Sequence, residues 1–452
     1  MEMTEETDAA QERTHLLINR NYALLWSARA ISITGDFVFN AGLVVWIALV
    51  LGRGQAWAPL AVSGVLLAST LPIIVVGPLA GGFADRWDKC HTMLWTDALR
   101  AALIGFLFIA VARGSLSPGP LLGMVCAIVF LVNTCDQFFR LSMVSLIPSI
   151  VEERQRAQAL GLGQASASLA MIAGPPIAAP LVLTFGIRWA LIINGVSFLV
   201  SYLTVRAIRV PRSSGCAVEQ TSSGFGQEFL AGWRFLRRTR VLVTLMLASM
   251  IAMLGGSALN TLDVFFVTHN LHTPGSWYGL LDAAFGVGAV LGAILSATLT
   301  KRLGLARTVW LSLLLLGGLV MVYARLTAFA PAAFLLFVCG VPLATLQVSA
   351  GALIMQVTPK DMVARISSMM DPLTVIAMVI GTGLGGYLDG VVLRGFHTHV
   401  LGFAFGPVDT IFTCAGLLVL LGGCAAMIGF RSPRADMPAV VGSAVQSHPS
   451  LQ

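Results

Sequence analysis

Residues 22–51 read YALLWSARAISITGDFVFNAGLVVWIALVL, a run with only two charged side chains, Arg29 and Asp36. A helix needs about 20 mainly apolar residues to cross the hydrocarbon core of a bilayer. The run therefore predicts a membrane-spanning helix, span 1, with a carboxylate about midway along it.

The rest of the chain has the same character, since 57% of its 452 residues are hydrophobic and only 11% are charged. Soluble domains carry roughly 25% charged residues, so this composition excludes a soluble protein. Eleven further apolar runs lie near 58–83, 93–112, 119–143, 158–184, 189–208, 241–267, 277–300, 308–324, 331–353, 367–388 and 407–430. We predict an all-α membrane protein with twelve transmembrane helices embedded in the lipid bilayer.

The spans are predicted to form two bundles of six, at 22–208 and 241–430, with polar tails at 1–21 and 431–452. A linker at 209–240 joins the bundles. It places apolar residues at helical spacing opposite basic ones, which predicts an amphipathic helix at the membrane surface. These residues are Phe225, Phe229, Trp233 and Leu236 against Arg234, Arg237 and Arg238. A solvated tether is the alternative.

Three pairs of segments indicate that the two bundles are copies of one unit. Ile31, Gly35 and Asn40 recur with the same spacing as Ile251, Gly255 and Asn260, residues 85–88 correspond to 301–304, and 156–174 correspond to 365–383. A repeat with an even number of spans keeps its direction across the membrane, so the bundles are related by an axis along the membrane normal. They are expected to meet around a central cavity.

The orientation follows from the basic residues. Of 28 Lys and Arg, twenty fall on the side of the two tails, five on the other side and three inside spans. This bias predicts cytoplasmic termini. The acidic N-terminal tail lacks the features of a removable signal peptide, so span 1 is expected to remain as an anchor. Because the basic residues form no cluster on a solvated face, no nucleic-acid partner is expected.

Several motifs resemble the major facilitator superfamily. Residues 81–89, GGFADRWDK, resemble its loop signature Gly-x-x-x-Asp-Arg-x-Gly-Arg/Lys-Arg/Lys, with departures at Asp88 and Cys90. Gly161, Ala170, Gly174, Pro175 and Ala178 resemble its antiporter signature, with two glycines replaced by alanine. Three further motifs resemble the macrolide-efflux and enterobactin-exporter branch of this superfamily. They are Ser32-x2-Gly35-Asp36, Asp97-x2-Arg100 and Pro359-x5-Arg365. The resemblance implies the major facilitator fold, alternating access and export of small organic molecules, usually against protons.

Charged residues near the inner ends of spans 2, 3 and 4 form a candidate gating network. Asp85 could face the positive N-terminus of a helix in the other half and act as a latch. The i,i+3 spacing of Asp97 and Arg100 and the i,i+4 spacing of Asp136 and Arg140 place each pair on one helix face. The full set is Asp85, Arg86, Lys89, Asp97, Arg100, Asp136 and Arg140. The alternative is static pairs that only set the depth of the spans.

Asp36 is a separate candidate, for proton or substrate coupling. Ionisable residues at the bilayer centre usually face a cavity or a partner and mark a proton or substrate path. Arg29, about 10.5 Å away along the helix, could pair with Asp36 through water or act separately, and Asn40 adds a polar lining. A structural Gly-Asp kink or a hydrogen bond to a neighbouring helix is the alternative.

Gly161, Gly174 and Pro175 form a predicted helix break in span 5, which either bends the helix for gating or allows close packing. Asp263, Asp282, Asp371, Asp389 and Asp409 lie near span ends and are mostly expected to be solvated. The predicted apolar lining of the cavity includes Trp26, Phe37, Phe39, Trp46 and Phe265.

Enzyme classes are not indicated, because the chain has no H-E-x-x-H, G-x-S-x-G or G-x-x-x-x-G-K-[ST] motif. We expect no metal and no cofactor. We predict a monomeric protein of the bacterial inner membrane. Its predicted function is to export a small amphipathic organic compound across that membrane, driven by proton entry. The alternatives are an uncoupled facilitator or importer, a lipid flippase, or a non-transporting membrane sensor; the sensor is disfavoured because the soluble segments are short.

Overall fold

The computed structural model describes residues 18–77, 87–114, 116–208, 233–359, 362–394, 396, 398–400 and 403–430. Twelve of its helices are long and apolar enough to cross a membrane, which confirms the predicted fold class. In chain order they are α1 Arg20–Trp46, α2 Ala58–Val75, α3 Lys89–Arg113, α4 Pro118–Ile150, α5 Arg156–Phe185, α6 Ile187–Arg206, α7 Arg240–His269, α8 Tyr278–Leu303, α9 Leu305–Tyr323, α10 Phe329–Val357, α11 Val363–Tyr387 and α12 Pro407–Phe430.

Polar side chains and glycines set the helix ends. Asn19 caps α1 by accepting a hydrogen bond from the Tyr22 amide at 2.8 Å, and Asp88 caps α3 by accepting one from the His91 amide at 2.7 Å. Gly114 ends α3 in the left-handed conformation, with φ 62°. The two side-chain caps satisfy backbone N–H groups that the helices themselves leave unpaired.

Two kinds of element in the structure are not α-helical. Single π-helical turns, Ile47–Leu51 and Leu388–Val392, continue α1 and α11. A short antiparallel hairpin, β1 Thr398–Val400 and β2 Phe403–Phe405, precedes α12. We call the end of the bundle at which α6 ends and α7 begins the linker side, and the opposite end the far side. The π-helical turns and the hairpin all lie on the far side.

Both halves have the same packing plan. In the first half α1 packs on α5 and α6, and in the second half α7 packs on α11 and α12. The repeated glycines have equivalent roles: a Cβ added to Gly35 would lie 2.9 Å from the Ser197 Cβ of α6, and one added to Gly255 would lie 2.9 Å from the Val419 Cγ2 of α12. Small residues thus bring the first and last helices of each half close together.

The halves meet mainly through two helix pairs, α2 with α11 and α5 with α8. A Cβ on Gly279 of α8 would overlap the Pro175 carbonyl of α5. A Cβ on Gly386 of α11 would lie 2.6 Å from the Ser63 Cβ of α2. These four residues lie in the far-side part of their helices, so the halves pack tightly there.

The buried apolar side chains are distributed unevenly along the membrane normal. Toward the far side one cluster joins both halves and includes Val45 and Val125 from the first half and Leu262 and Phe412 from the second. Toward the linker side each half has a cluster of its own. Among the described residues the halves therefore share a core toward the far side and are packed separately toward the linker side.

The linker is described only from residue 233 onward. Residues 233–238 are helical, with Leu236 buried against the second half and Arg234, Arg237 and Arg238 exposed. Phe225 and Phe229 lie outside the described residues, so the predicted amphipathic helix over the whole linker remains a prediction.

Candidate functional site

Five charged side chains from three helices meet inside the first half. They are Arg29 and Asp36 of α1, Asp97 and Arg100 of α3, and Asp136 of α4. At 1.5 Å per residue, they lie about 12 to 24 Å along their helices from the linker-side ends. This charge cluster is therefore well inside the membrane-spanning part of the protein.

Arg100 is at the centre of the charge cluster and is fully buried. Its guanidinium donates to Asp97 Oδ1 and, at 3.3 Å, to Asp136 Oδ1. The same group lies 4.8 Å from the ring centroid of Phe139 and 4.6 Å from that of Phe198. Two carboxylates and two aromatic faces thus compensate for the loss of water around this cation.

Asp97 is also fully buried, and both of its oxygens are occupied. Oδ1 accepts from Arg100, and Oδ2 accepts from the Ser201 hydroxyl of α6 at 2.6 Å. The close i,i+3 pair suggested by the sequence is thus formed. With both oxygens bonded, Asp97 holds α3 and α6 together.

Asp136 does not form the ion pair with Arg140 that its i,i+4 spacing suggests. It accepts from Arg29 at 2.7 Å and from Arg100. Arg140 instead donates to Gln137 Oε1 at 3.0 Å. The reason is geometric: Asp136 turns into the bundle toward α1 and α3, whereas Arg140 is exposed and interacts electrostatically with Asp371 of the other half.

Asp36 differs from the other two carboxylates. Among the described residues no basic group lies within 4.0 Å of it, although Arg100, Arg29 and Asp136 all act on it electrostatically. The charge cluster thus contains three carboxylates and two guanidiniums. Four of these charges are joined by ion pairs, and the carboxylate left over is Asp36.

The residues predicted for coupling and those predicted for gating belong to one cluster. Arg29 shares a helix with Asp36 but is paired with Asp136, and so links the two predicted groups. Asn40 is half-buried one turn farther toward the far side. Asn194 and Ser201 of α6 were missed, although with Ser197 they form a polar stripe at helical spacing in an apolar span, which is a usable signal.

Only the last residues of the loop signature, from Trp87 onward, belong to the described part of the chain. Asp85 and Arg86 lie outside the described residues, so their predicted gating roles stay predictions. Lys89 is the first residue of α3. Asp88, which replaces the glycine of the family pattern, is the N-cap of that helix.

The predicted break in span 5 does not interrupt the helix, because α5 is helical throughout Arg156–Phe185. The motif provides close packing: a Cβ on Gly174 would lie 2.6 Å from the Phe37 Cβ of α1, and Pro175 meets Gly279 of the other half. Neighbouring helices make prolines tolerable within membrane helices. Gly161 has no neighbouring atom within 4 Å of an added Cβ.

Two carboxylates expected to be solvated are buried in the second half. Asp263 is 7% exposed and accepts from the Tyr323 hydroxyl at 2.7 Å. Asp409 is 9% exposed and accepts from the Asn270 amide and, at 3.1 Å, from the Gly406 amide. The side chains of Tyr323 and Asn270, which belong to other segments, and the nearby Gly406 amide replace water at these positions.

Several aromatic residues expected to line a cavity have other roles. Phe39, Trp46 and Phe265 are buried in the cluster that joins the halves, because the far side is closed in this conformation. The Trp26 indole donates to the Leu162 carbonyl at 3.3 Å and ties α1 to α5.

Comparisons with known proteins agree with this architecture. The profile of the Major Facilitator Superfamily matches residues 25–382. The chain is 25% identical over 381 residues to the uncharacterized MFS-type transporter YkuC of Bacillus subtilis strain 168, covering 81% of this chain and 85% of that protein. It is 22% identical over 271 residues to macrolide efflux protein A of Streptococcus pyogenes, covering 60% of this chain and 64% of that protein.

A bacterial homologue of the iron transporter ferroportin shares the fold. In its inward-facing state the TM-score is 0.70, at 15% identity over 91% of this chain and 99% of that one. In its outward-facing state the TM-score is 0.58, at 16% identity over 92% of this chain and 100% of that one.

Proposed function

Because the chain belongs to the Major Facilitator Superfamily, we propose that it exports a small amphipathic organic compound by alternating access, in exchange for protons. The family and the fold are those of membrane transporters rather than enzymes, and the resemblance found in the sequence is confirmed. The similarity to macrolide efflux protein A supports export as the direction.

The charge count in the cluster carries the proposal. An unpaired carboxylate deep in a membrane protein is costly, and removing that cost requires a proton or another cation. When Asp36 takes up a proton, two carboxylates face two guanidiniums and the charge cluster becomes neutral. Asp36 then binds the proton that enters from one side and releases it to the other, while the compound moves in the opposite direction.

The conformation supports alternating access. The halves share a core toward the far side and have separate cores toward the linker side. Basic residues concentrate on the linker side, which favours that side as the cytoplasmic one. The higher TM-score to the inward-facing neighbour agrees with this assignment. The protein is then an inward-facing, multi-pass protein of the bacterial inner membrane.

Gating at the linker side involves exposed charges on opposite halves. Arg140 of α4 and Asp371 of α11 are both exposed and attract one another electrostatically. When the linker-side ends approach, this pair gains a closer contact, while Arg100 keeps Asp97 and Asp136 fixed within the first half.

Accumulation of erythromycin and ethidium in cells, with and without the protein, tests the proposal. The wild type is expected to lower accumulation of at least one compound, and a protonophore is expected to remove the difference. In proteoliposomes with an imposed pH gradient, D36N is expected to abolish gradient-driven transport. The matched control is D389N, since Asp389 lies in the far-side turn after α11 and outside the charge cluster.

Two outcomes would contradict the proposal. Equal accumulation of both compounds in all cells would exclude export of this class of substrate. Gradient-driven transport by D36N at the wild-type rate would remove Asp36 from coupling and favour an uncoupled facilitator.

A further inference from the structure

The contact between α1 and α6 beside Asp36 contains a buried polar group, the side-chain amide of Asn194, that is not part of the ion pairs of the charge cluster. Gly35 has no side chain at this contact, and an added Cβ would lie 2.9 Å from Asn194 Oδ1. Asn194 is fully buried in the middle of α6. The glycine therefore allows the amide of Asn194 to lie directly against the backbone that carries Asp36.

The two ends of the Asn194 amide are in different situations. Its oxygen lies 3.4 Å from the Ser197 hydroxyl, which donates to the Asn194 main-chain carbonyl at 2.8 Å. Its nitrogen, Nδ2, is buried and makes no hydrogen bond of good geometry in this conformation. A buried donor without an acceptor is unfavourable and is rare in native proteins, so we expect Nδ2 to find an acceptor at another stage of the cycle.

Asp36 is the neighbouring acceptor, since the Asn194 amide lies against Gly35, the residue before it, and also acts on its carboxyl group. The other charged groups that act on Asp36 are Arg29 on its own helix, Arg100 on α3 and Asp136 on α4. Helix α5, which also packs on α1, has no titratable side chain after Arg156. Asn194 is therefore the group that α6 presents to Asp36, and it is a neutral donor rather than a charge.

We propose that Asn194 is a positioning residue for Asp36: its amide N–H donates to the ionised carboxylate after the proton leaves and is released when the carboxyl is protonated again. This inference rests on the proposed proton coupling at Asp36. A hydrogen bond to an ionised acceptor is stronger than one to a neutral acceptor, so Asn194 stabilises the ionised form selectively. In this way α6 sets the pH at which Asp36 releases its proton.

The test measures protonation directly and needs no transported compound. The infrared carboxyl band that is lost in D36N reports protonated Asp36, and its intensity is followed against pH in the full-length protein in lipid. In N194A the midpoint of this titration is expected to rise by about one pH unit, since a hydrogen bond to an ionised group changes proton affinity by roughly tenfold. Gradient-driven transport of ethidium should shift its pH profile in the same direction.

The matched control is N133A. Asn133 also lies within a span, but its amide donates to the Val129 carbonyl of its own helix at 2.9 Å, so its removal should leave the midpoint unchanged. N194S is a second variant in case N194A does not fold; its short hydroxyl loses the reach of the amide, and the midpoint should again rise.

The outcomes separate this inference from the proposed function. An unchanged midpoint in folded N194A or N194S would overturn the role of Asn194 and leave coupling at Asp36 intact. A D36N-sensitive band that never appears would mean that Asp36 takes up no proton, and would overturn both. A raised midpoint in N194A with an unchanged one in N133A supports the inference.

Discussion

Replacing Arg100 by methionine is expected to destabilise the protein strongly, because it leaves a buried carboxylate without its cation. Asp97 would keep only the Ser201 hydroxyl as a partner, at 2.6 Å. Asp136 would lose one bond of 3.3 Å but keep Arg29 at 2.7 Å. The damage should therefore be concentrated at Asp97, which is fully buried.

The expected magnitude follows from this arrangement. Removing one partner of a buried ion pair costs about 3–5 kcal/mol. The loss of the cation between Phe139 and Phe198 adds roughly 1–2 kcal/mol, part of which the methionine side chain recovers by packing against the rings. We expect a decrease of about 4 kcal/mol in the free energy of unfolding for R100M. In D97N/R100M most of it should return, because no buried charge is left unpaired at position 97.

The assay is equilibrium unfolding in mixed micelles, titrated with SDS and followed by circular dichroism. The matched control is R154M, which removes an arginine from an exposed pair with Glu152 at 3.0 Å; exposed pairs contribute about 1 kcal/mol or less. If R100M were as stable as R154M, or if D97N/R100M were no more stable than R100M, the reasoning about the charge cluster would be refuted.

Two further predictions concern the packing of the helices. G279A is expected to loosen the far side, because the added Cβ would overlap the Pro175 backbone carbonyl; hydrogen exchange at the far-side ends of α5 and α8 should increase, whereas G318A, whose Cβ would meet no atom within 4 Å, should leave it unchanged. Y323F is expected to lower stability by about 1–3 kcal/mol in the same micelle assay by removing the donor to buried Asp263. The exposed Tyr387 supplies the control Y387F, and equal stability of the two variants would exclude a structural role for the Tyr323 hydroxyl.

The number and position of the helices could be predicted from the sequence because the lipid imposes them. A chain that crosses a bilayer must satisfy its backbone hydrogen bonds within each segment, so long apolar runs leave only the helix. The prediction of 407–430 for the last span coincides with α12. At α4 the helix continues to Ile150, past the predicted end at 143, with Pro148 in its last turn.

The pairing of the charges could not be predicted in the same way. Sequence spacing identifies only neighbours on one helix, such as Asp136 and Arg140. The residue that pairs with Asp136 at the shortest distance, Arg29, is separated from it by 107 positions. Asp263 was likewise assigned to a solvated rim because its donor, Tyr323, belongs to another helix. Which charged residues pair depends on how the helices pack against one another, and the spacing of residues along the sequence does not specify that packing.

Backbone-to-backbone contact between α8 and α10 gives the two halves unequal stiffness. Cβ atoms on Gly288 and Gly292 would overlap the carbonyls of Phe337 and Val341, and one on Gly340 would overlap the carbonyl of Phe285. In the matching pair of the first half, α2 and α4, a Cβ on Gly64 would only approach the Cys126 sulfur at 4.0 Å. Among the described residues, the contact between α8 and α10 is thus closer than the contact between α2 and α4, so we expect the second half to tilt as the more rigid unit during alternating access.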